Sequence, residues 1–161
     1  MVDQKMTICL WFDDQAEEAA LYYKGIFDNF SIGRISRYGK EGFEYHQKPV
    51  GTVMAIEFSI NGMNFLGLNG GNQFSFNEAT SIMVHCQTQD EIDHLWGKLT
   101  HGGQEGPCGW LKDRFGVSWQ IVPNVFTEIL ACGNNEKIER ATGAFLKMTK
   151  PVIEDIIQAG K

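Results

Sequence analysis

Lys112-Asp113-Arg114-Phe115-Gly116-Val117-Ser118-Trp119-Gln120-Ile121-Val122-Pro123 closes the second copy of a faint internal repeat. The first copy opens with an apolar run ending at Phe12, followed by the helix-like Glu17-Glu18-Ala19-Ala20-Leu21-Tyr22-Tyr23. The second has a run ending at Cys86 and then Asp90-Glu91-Ile92-Asp93-His94-Leu95-Trp96. Glu91 follows Glu18 by 73 positions, and Trp96 follows Tyr23 by the same 73. Two copies of one supersecondary unit imply a pseudo-symmetric fold, with a ligand cup expected at the seam between them.

Outward from that repeat, Met6 to Phe12 reads as a strand, rich in β-branched and aromatic residues. Asp13-Asp14 is placed to cap the helix that follows, whose apolar stripe is Ala16, Ala20, Tyr23 and Phe27. Strands are predicted over Ser31 to Tyr38, Val53 to Ile60 and Met63 to Leu68, with Asn61-Gly62 as a two-residue hairpin turn. Gly39 to Pro49 reads as a loop carrying Tyr45 and His46. The second copy runs as a strand over Ser81 to Cys86 and a helix over Asp90 to His101 stopped by Gly102-Gly103. Short strands follow around Gly109 to Lys112 and Val117 to Val122. The hairpin glycines Gly62 and Gly116 are 54 positions apart, so the second copy is 19 residues shorter between helix and hairpin. Each copy reads β-α-β-β-β, an α+β fold with mainly antiparallel strands. The expected organisation is one domain over residues 1–161, with modules at 6–69 and 80–123 and a helical appendix over 124–161. In the appendix, Phe126 to Ala131 and Glu136 to Met148 have helical spacing, and Pro151 suits the first turn of a last helix.

The chain is 161 residues long and 43% hydrophobic, enough to bury a core. A net charge of −6 with scattered Lys and Arg argues against nucleic acid as partner, because a phosphate-binding face needs clustered cations. The four cysteines, Cys9, Cys86, Cys108 and Cys132, have no paired spacing for zinc or redox chemistry. Cys9 and Cys86 lie in apolar runs and are expected to be buried thiols. Met1-Val2-Asp3-Gln4-Lys5 lacks the apolar run of a leader, and no stretch approaches a membrane span. The expectation is a cytoplasmic protein with no membrane partner.

Three segments carry a family resemblance: Leu10-Trp11-Phe12-Asp13-Asp14-Gln15-Ala16-Glu17-Glu18-Ala19, the stretch from Cys108-Gly109-Trp110 to Pro123, and Ala144-Phe145-Leu146-Lys147-Met148-Thr149-Lys150. Together they resemble the family named after 3-demethylubiquinone 3-methyltransferase, in the vicinal-oxygen-chelate superfamily of glyoxalase I, extradiol dioxygenases and bleomycin-resistance proteins. The resemblance implies paired modules around a U-shaped cup, with four strand positions that supply His, Glu or Gln ligands in the metal enzymes. By motif the last position falls on Gln120; the hairpin offset carries it to Leu66, and the strand starts fall on Ser81 and, 73 positions earlier, Ile8. Two aliphatic groups, a hydroxyl and a carboxamide leave a divalent ion short of its roughly four to six ligands, so neither a metal nor another cofactor is expected. Methyl transfer to a quinone precursor, which the family's name implies, is the alternative, as is an unconventional metal-dependent lyase or dioxygenase. Asn69-Gly70-Gly71-Asn72 follows a hairpin strand and reads as a plain loop, not as a cofactor-binding glycine turn.

Strand alternation predicts the lining of the cup. Ile8, Leu10 and Phe12 are expected on one face of the first strand, with Cys9 and Trp11 opposite. Asn64, Leu66 and Leu68 join them, then Ser81, Met83 and His85, and finally Ser118, Gln120 and Val122. The candidate binding residues are Leu10, Phe12, Leu66, Leu68, Ser81, Met83, His85, Trp110, Ser118 and Gln120, a mostly apolar wall suited to a small apolar or aromatic molecule. His85 is either a general base or ligand donor, or a hydrogen-bonded histidine in a polar corner of the core. Trp110 is either a ligand-stacking ring or a structural plug. The superfamily resemblance also implies modules paired within one chain or across two. A homodimer is expected, with the apolar tail around Phe126, Ile129, Phe145 and Met148 as the surface to be covered.

Overall fold

A computed structural model describes residues 5–161; the leader reading made on Met1-Val2-Asp3-Gln4 falls outside them. The chain divides into two compact units, one ending at Phe76 and the other covering Asn77–Lys161.

The first unit runs β1 (Ile8–Phe12), α1 (Ala16–Lys24), β2 (Phe30–Arg37), α2 (Phe43–His46), β3 (Val53–Ile60) and β4 (Met63–Asn69). Its sheet has the order β1-β4-β3-β2, with β1 parallel to β4 and the other pairs antiparallel. Asn61 and Gly62 turn β3 into β4 with φ of 49° and 83°, the positive values that a two-residue hairpin requires. Ala16, Ala19, Ala20 and Tyr23 form the fully buried face of α1. Small residues bring this helix close to the sheet. A Cβ on Gly67 would stand 3.1 Å from that of Ala16 and 3.2 Å from Ile56 Cγ2. The cap of α1 differs from expectation: neither Asp13 nor Asp14 occupies the cap position, which belongs to Gln15, and Gln15 makes no side-chain cap bond. Instead Asn69 Oδ1, reaching from the end of β4, accepts from Ala16 N at 2.8 Å. Gly39 to Pro49 is not all loop, because Phe43–His46 makes one helical turn between the left-handed Gly42 and Gln47.

The second unit runs β5 (Ile82–Cys86), α3 (Gln89–Leu99), β6 (Gln104–Glu105), β7 (Trp110–Lys112) and β8 (Ser118–Pro123). The helices α4 (Asn124–Leu130), α5 (Asn135–Phe145) and α6 (Ile153–Ala159) follow. The sheet order β5-β8-β7-β6, with β5 parallel to β8, repeats the first. Both β-α-β-β-β modules are therefore present, with helices after the second. Thr88 starts α3 with a reciprocal capping box: its hydroxyl accepts from Glu91 N, and Glu91 Oε2 accepts from Thr88 N.

The Lys112 to Pro123 stretch folds around Asp113. This buried carboxylate accepts from Phe115 N (2.9 Å), Val117 N (3.1 Å) and the Trp119 indole (2.9 Å), so three donors compensate its lost hydration. Trp119 and Ile121 are consequently held inward, in the core of this unit.

The appendix corrects two expectations. Pro151 does not open α6; it precedes the cap residue Val152. Phe126, Ile129 and Phe145 are not a surface awaiting a partner, because they pack with Val122, Ala141 and Ile156 into a core, with Met148 partly buried against it. The Phe126 and Phe145 rings stack with centroids 4.3 Å apart. Backbone bonds pin this appendix to the sheet: Cys108 N donates to Met148 O (2.7 Å) and Gly109 N to Thr149 O (3.0 Å). Gln89 holds the backbone on both sides of Val152, donating to Pro151 O and accepting from Ile153 N.

Of the two thiols expected to be buried, only Cys86 is; Cys9 is exposed. Burial, aided by the negative charge of Glu91, pushes the Cys86 thiol up to about 11. Among the described residues, no helix is long and apolar enough to cross a membrane.

Candidate functional site

Each sheet has one face against its helix; the other face is open, except at the Val122 end of the second sheet, where the core of the C-terminal helices packs, and strand register says which residues lie where. In the first unit Leu10 pairs with Gly67 and Phe12 with Asn69, while Cys9 pairs with Leu66 and Trp11 with Leu68. Paired residues share a face, and Gly67 abuts Ala16 of α1. Leu10 and Phe12 are thus buried on the helix side, on the face opposite Leu66 and Leu68. The expected lining is corrected at these two positions, and the open face carries Cys9 and Trp11 instead.

The cause is a single residue of loop. Asp13-Asp14-Gln15 joins β1 to α1, whereas Gln87-Thr88 joins β5 to α3. The helices keep the offset of 73, but Cys9 beside Leu66 corresponds to Met83 beside Gln120, 74 positions on. A shift of one residue exchanges the two faces of a strand. Thr7, not Ile8, therefore corresponds to Ser81.

This bears on the metal the superfamily resemblance implies. Taken unit by unit, the positions are Thr7 and Leu66 in the first, a hydroxyl and an aliphatic chain, and Ser81 and Gln120 in the second, a hydroxyl and a carboxamide. The Gln120 amide is already engaged, Nε2 donating to Ser81 Oγ at 2.8 Å. Such neutral oxygens with no imidazole, thiolate or carboxylate do not fit a divalent ion. Among the described residues, no group of three His, Cys, Asp or Glu side chains is placed to hold one.

In the second unit the predicted residues do come together. Met83 pairs with Gln120, and Gln120 pairs with Trp110, so these three stand abreast across β5, β8 and β7. His85 lies beyond Met83, beside Val122. It is exposed on this face, not held in a polar corner of the core. Met83 is 48% exposed, while Gln120 and Trp110 are half-buried. Ser118 is on the same face but buried, its hydroxyl 3.4 Å from Asn77 O, so the segment before β5 covers it and it is not open to a ligand.

Lys112 belongs to this face and was not predicted. It pairs with Ser118, two residues on from Trp110 along β7. Alternation alone marks that position, since residues two apart on a strand share a face. Lys112 Nζ makes an ion pair with Glu78 Oε1, and this hydrogen bond holds the Glu78 carboxyl below the usual carboxylate range. Beside the pair lies a cavity of about 300 Å³, lined by Glu78, Gln104, Gly106, Pro107, Trp110 and Lys112, among others.

A second hollow, in the first unit, has polar walls that include Asp13, Tyr45, His46, Lys48 and Gly70-Gly71-Asn72. His46 is occupied in holding the loop: its ring packs on Tyr38 at 4.4 Å, and its Nδ1 accepts from Lys48 N.

The profile of 3-demethylubiquinone-9 3-methyltransferase matches residues 4–122. The PhnB protein of Bacillus cereus, described as a putative 3-demethylubiquinone-9 3-methyltransferase, is 36% identical over 74% of this chain and 99% of its own, with a TM-score of 0.64. PA1353 from Pseudomonas aeruginosa is 16% identical over 75% of this chain and 98% of its own, with a TM-score of 0.60. The fosfomycin resistance protein FosX from Mesorhizobium loti is 14% identical over 81% and 99%, with a TM-score of 0.55. At those identities the last two show the fold alone. No curated protein matches. The matched region reaches through the second sheet and leaves α4, α5 and α6 outside it. On the strength of the profile and the Bacillus relative, this chain belongs to the 3-demethylubiquinone-9 3-methyltransferase family, within the vicinal-oxygen-chelate superfamily.

Proposed function

We propose that this protein binds a small apolar or aromatic molecule, without a metal or other cofactor, on the open face of its second sheet. The row of Met83, Gln120 and Trp110 carries the reading. A thioether and an indole offer adaptable apolar surface, and the amide between them supplies one oriented polar point. With Nε2 committed to Ser81, Gln120 presents its oxygen as an acceptor. Burying a ring against the row gains about 25 cal/mol per Å² of apolar surface, while a ligand group that leaves the amide unmatched costs about 1–3 kcal/mol. Selectivity then follows from where a ligand's polar groups fall rather than from its size. Methyl transfer is suggested by the family's name alone, and none of these residues argues for it. A cytoplasmic setting and a homodimer are part of the same reading, supported by the absence of disulfides among the described cysteines and by apolar side chains on an exposed strand edge.

The test is an unbiased mass-spectrometric search for compounds that copurify with the native protein, repeated on Met83→Glu. Because Met83 is half exposed, the substitution leaves the core intact, which circular dichroism checks. Retention of an aromatic or apolar compound by the parent and its loss from the variant is the expected result. An identical set of compounds on both proteins rules the row out as the site.

A further inference from the structure

Resting on that reading of the second sheet, we infer that the ligand carries one acidic group, that Lys112 receives it, and that Glu78 occupies its place in the free protein. Among the described residues Lys112 is the one cationic side chain lining the cavity, whose walls also include Trp110, Leu111, Pro107 and a second carboxylate, Glu105, which accepts from the Trp96 indole at 2.7 Å. It stands on the same face as Trp110, two residues along β7, so a ring lying on the indole brings its substituent toward the ammonium. With Glu105 committed to the Trp96 indole, Lys112 is the charge left for a ligand; it selects a flat molecule with a single negative charge, because a second would find no partner and would face the Glu105 carboxylate.

Glu78 occupies the place where that charge would sit. It lies in the segment before β5, outside any strand or helix, and reaches Lys112 through its carboxylate. Asn77 braces the segment twice: its carbonyl lies 3.4 Å from Ser118 Oγ, and its side-chain oxygen accepts from Ala79 N at 2.9 Å. The Glu78 side chain is 60% exposed and that of Lys112 31%, so water screens the pair and little holds it closed. An incoming acid makes the same charge-assisted bond and adds the burial of its ring, which Glu78 cannot supply. Exchange of one carboxylate for another keeps Lys112 partnered throughout. Glu78 therefore competes with the ligand, and its removal strengthens binding.

The experiment titrates the intact ¹⁵N-labelled chain with 2-naphthoate, its neutral isostere 2-naphthamide and the cationic 2-naphthylmethylammonium. The Trp110 indole and the Lys112 and Ser118 amides report binding. The naphthoate is expected to bind about fivefold more tightly than the amide. Glu78→Gln tightens naphthoate about two- to fivefold and leaves the amide unchanged. Lys112→Met erases the preference for the acid. A tightening in Glu78→Gln cannot arise from damage to the fold, which would weaken every probe. Equal affinity for acid and amide, with Trp110 responding to both, overturns the role of Lys112 while leaving the aromatic site standing. Tighter binding of the ammonium compound overturns it by reversing the sign. If no probe perturbs Trp110, the inference and the site it rests on both fall.

Discussion

Asn69 joins three segments of the first unit through one buried side chain and its own carbonyl. Its Oδ1 accepts from Ala16 N at the start of α1, its Nδ2 donates to Val53 O (3.0 Å) at the start of β3, and its carbonyl accepts from Tyr38 OH (2.7 Å). Asn69 is 3% exposed, so water cannot replace these partners. Asn69→Ala leaves a buried N–H and a buried C=O without partners, and each such loss costs about 1–3 kcal/mol. We expect a total destabilisation of about 2–4 kcal/mol, read as a shift of the urea midpoint at unchanged slope. A loss below about 0.5 kcal/mol, the range of ordinary surface substitutions, would show that the helix start is satisfied in another way. Asp113 plays the comparable part in the second unit, with three donors on one buried carboxylate.

Helix α5 is held by packing on its neighbours. Its N-cap Asn134 accepts from Lys137 N, and its core face is the buried Ala141 and Phe145 with the partly buried Ile138. Phe145 stacks on Phe126 and lies in the core shared with Val122 at the end of β8. Phe145→Ala removes the ring and leaves a cavity between α4 and α5. Large-to-small changes of this kind cost about 3–5 kcal/mol, and the loss should appear in urea unfolding followed by circular dichroism. The same variant should raise amide exchange around Cys108 and Gly109, whose N–H groups are bonded to Met148 and Thr149. Unchanged exchange at those two amides would mean that the backbone clamp holds without the helix core.

For the whole molecule, assembly is the open property, and the proposed homodimer needs a surface other than the tail. In the first sheet β2 is an edge strand of eight residues, with Ile32 and Ile35 each 38% exposed. An unpaired edge bearing apolar side chains is a template for a second strand. Light scattering at micromolar concentration should give twice 18.1 kDa, and Ile32→Lys with Ile35→Lys should return the mass of one chain. A parent protein that scatters as one chain ends the dimer proposal, and an unaffected dimer in the double variant moves the interface elsewhere.

Most of the element order was legible in the sequence because it rests on local chemistry: β-branched runs, the Asn61-Gly62 turn, helical spacing from Ala16 to Tyr23 and the repeat itself; the single turn of α2 and the two-residue β6 were too short to leave such a pattern. The alternation that places Met83, Gln120 and Trp110 on one face was legible for the same reason. Lys112 was equally within reach, since it lies two residues along the same strand. Which face of β1 looks outward was decided by tertiary structure alone. A helix offset passes into a strand only if the joining loops are equally long, and the extra residue between Phe12 and Ala16 reverses every side chain of β1. The cap of α1 likewise came from Asn69, 53 positions away, and no local pattern records a partner that distant. Apolar spacing in the tail specified helices but not what would cover them; their own mutual packing did that, because burial is a property of the folded neighbourhood and not of the segment.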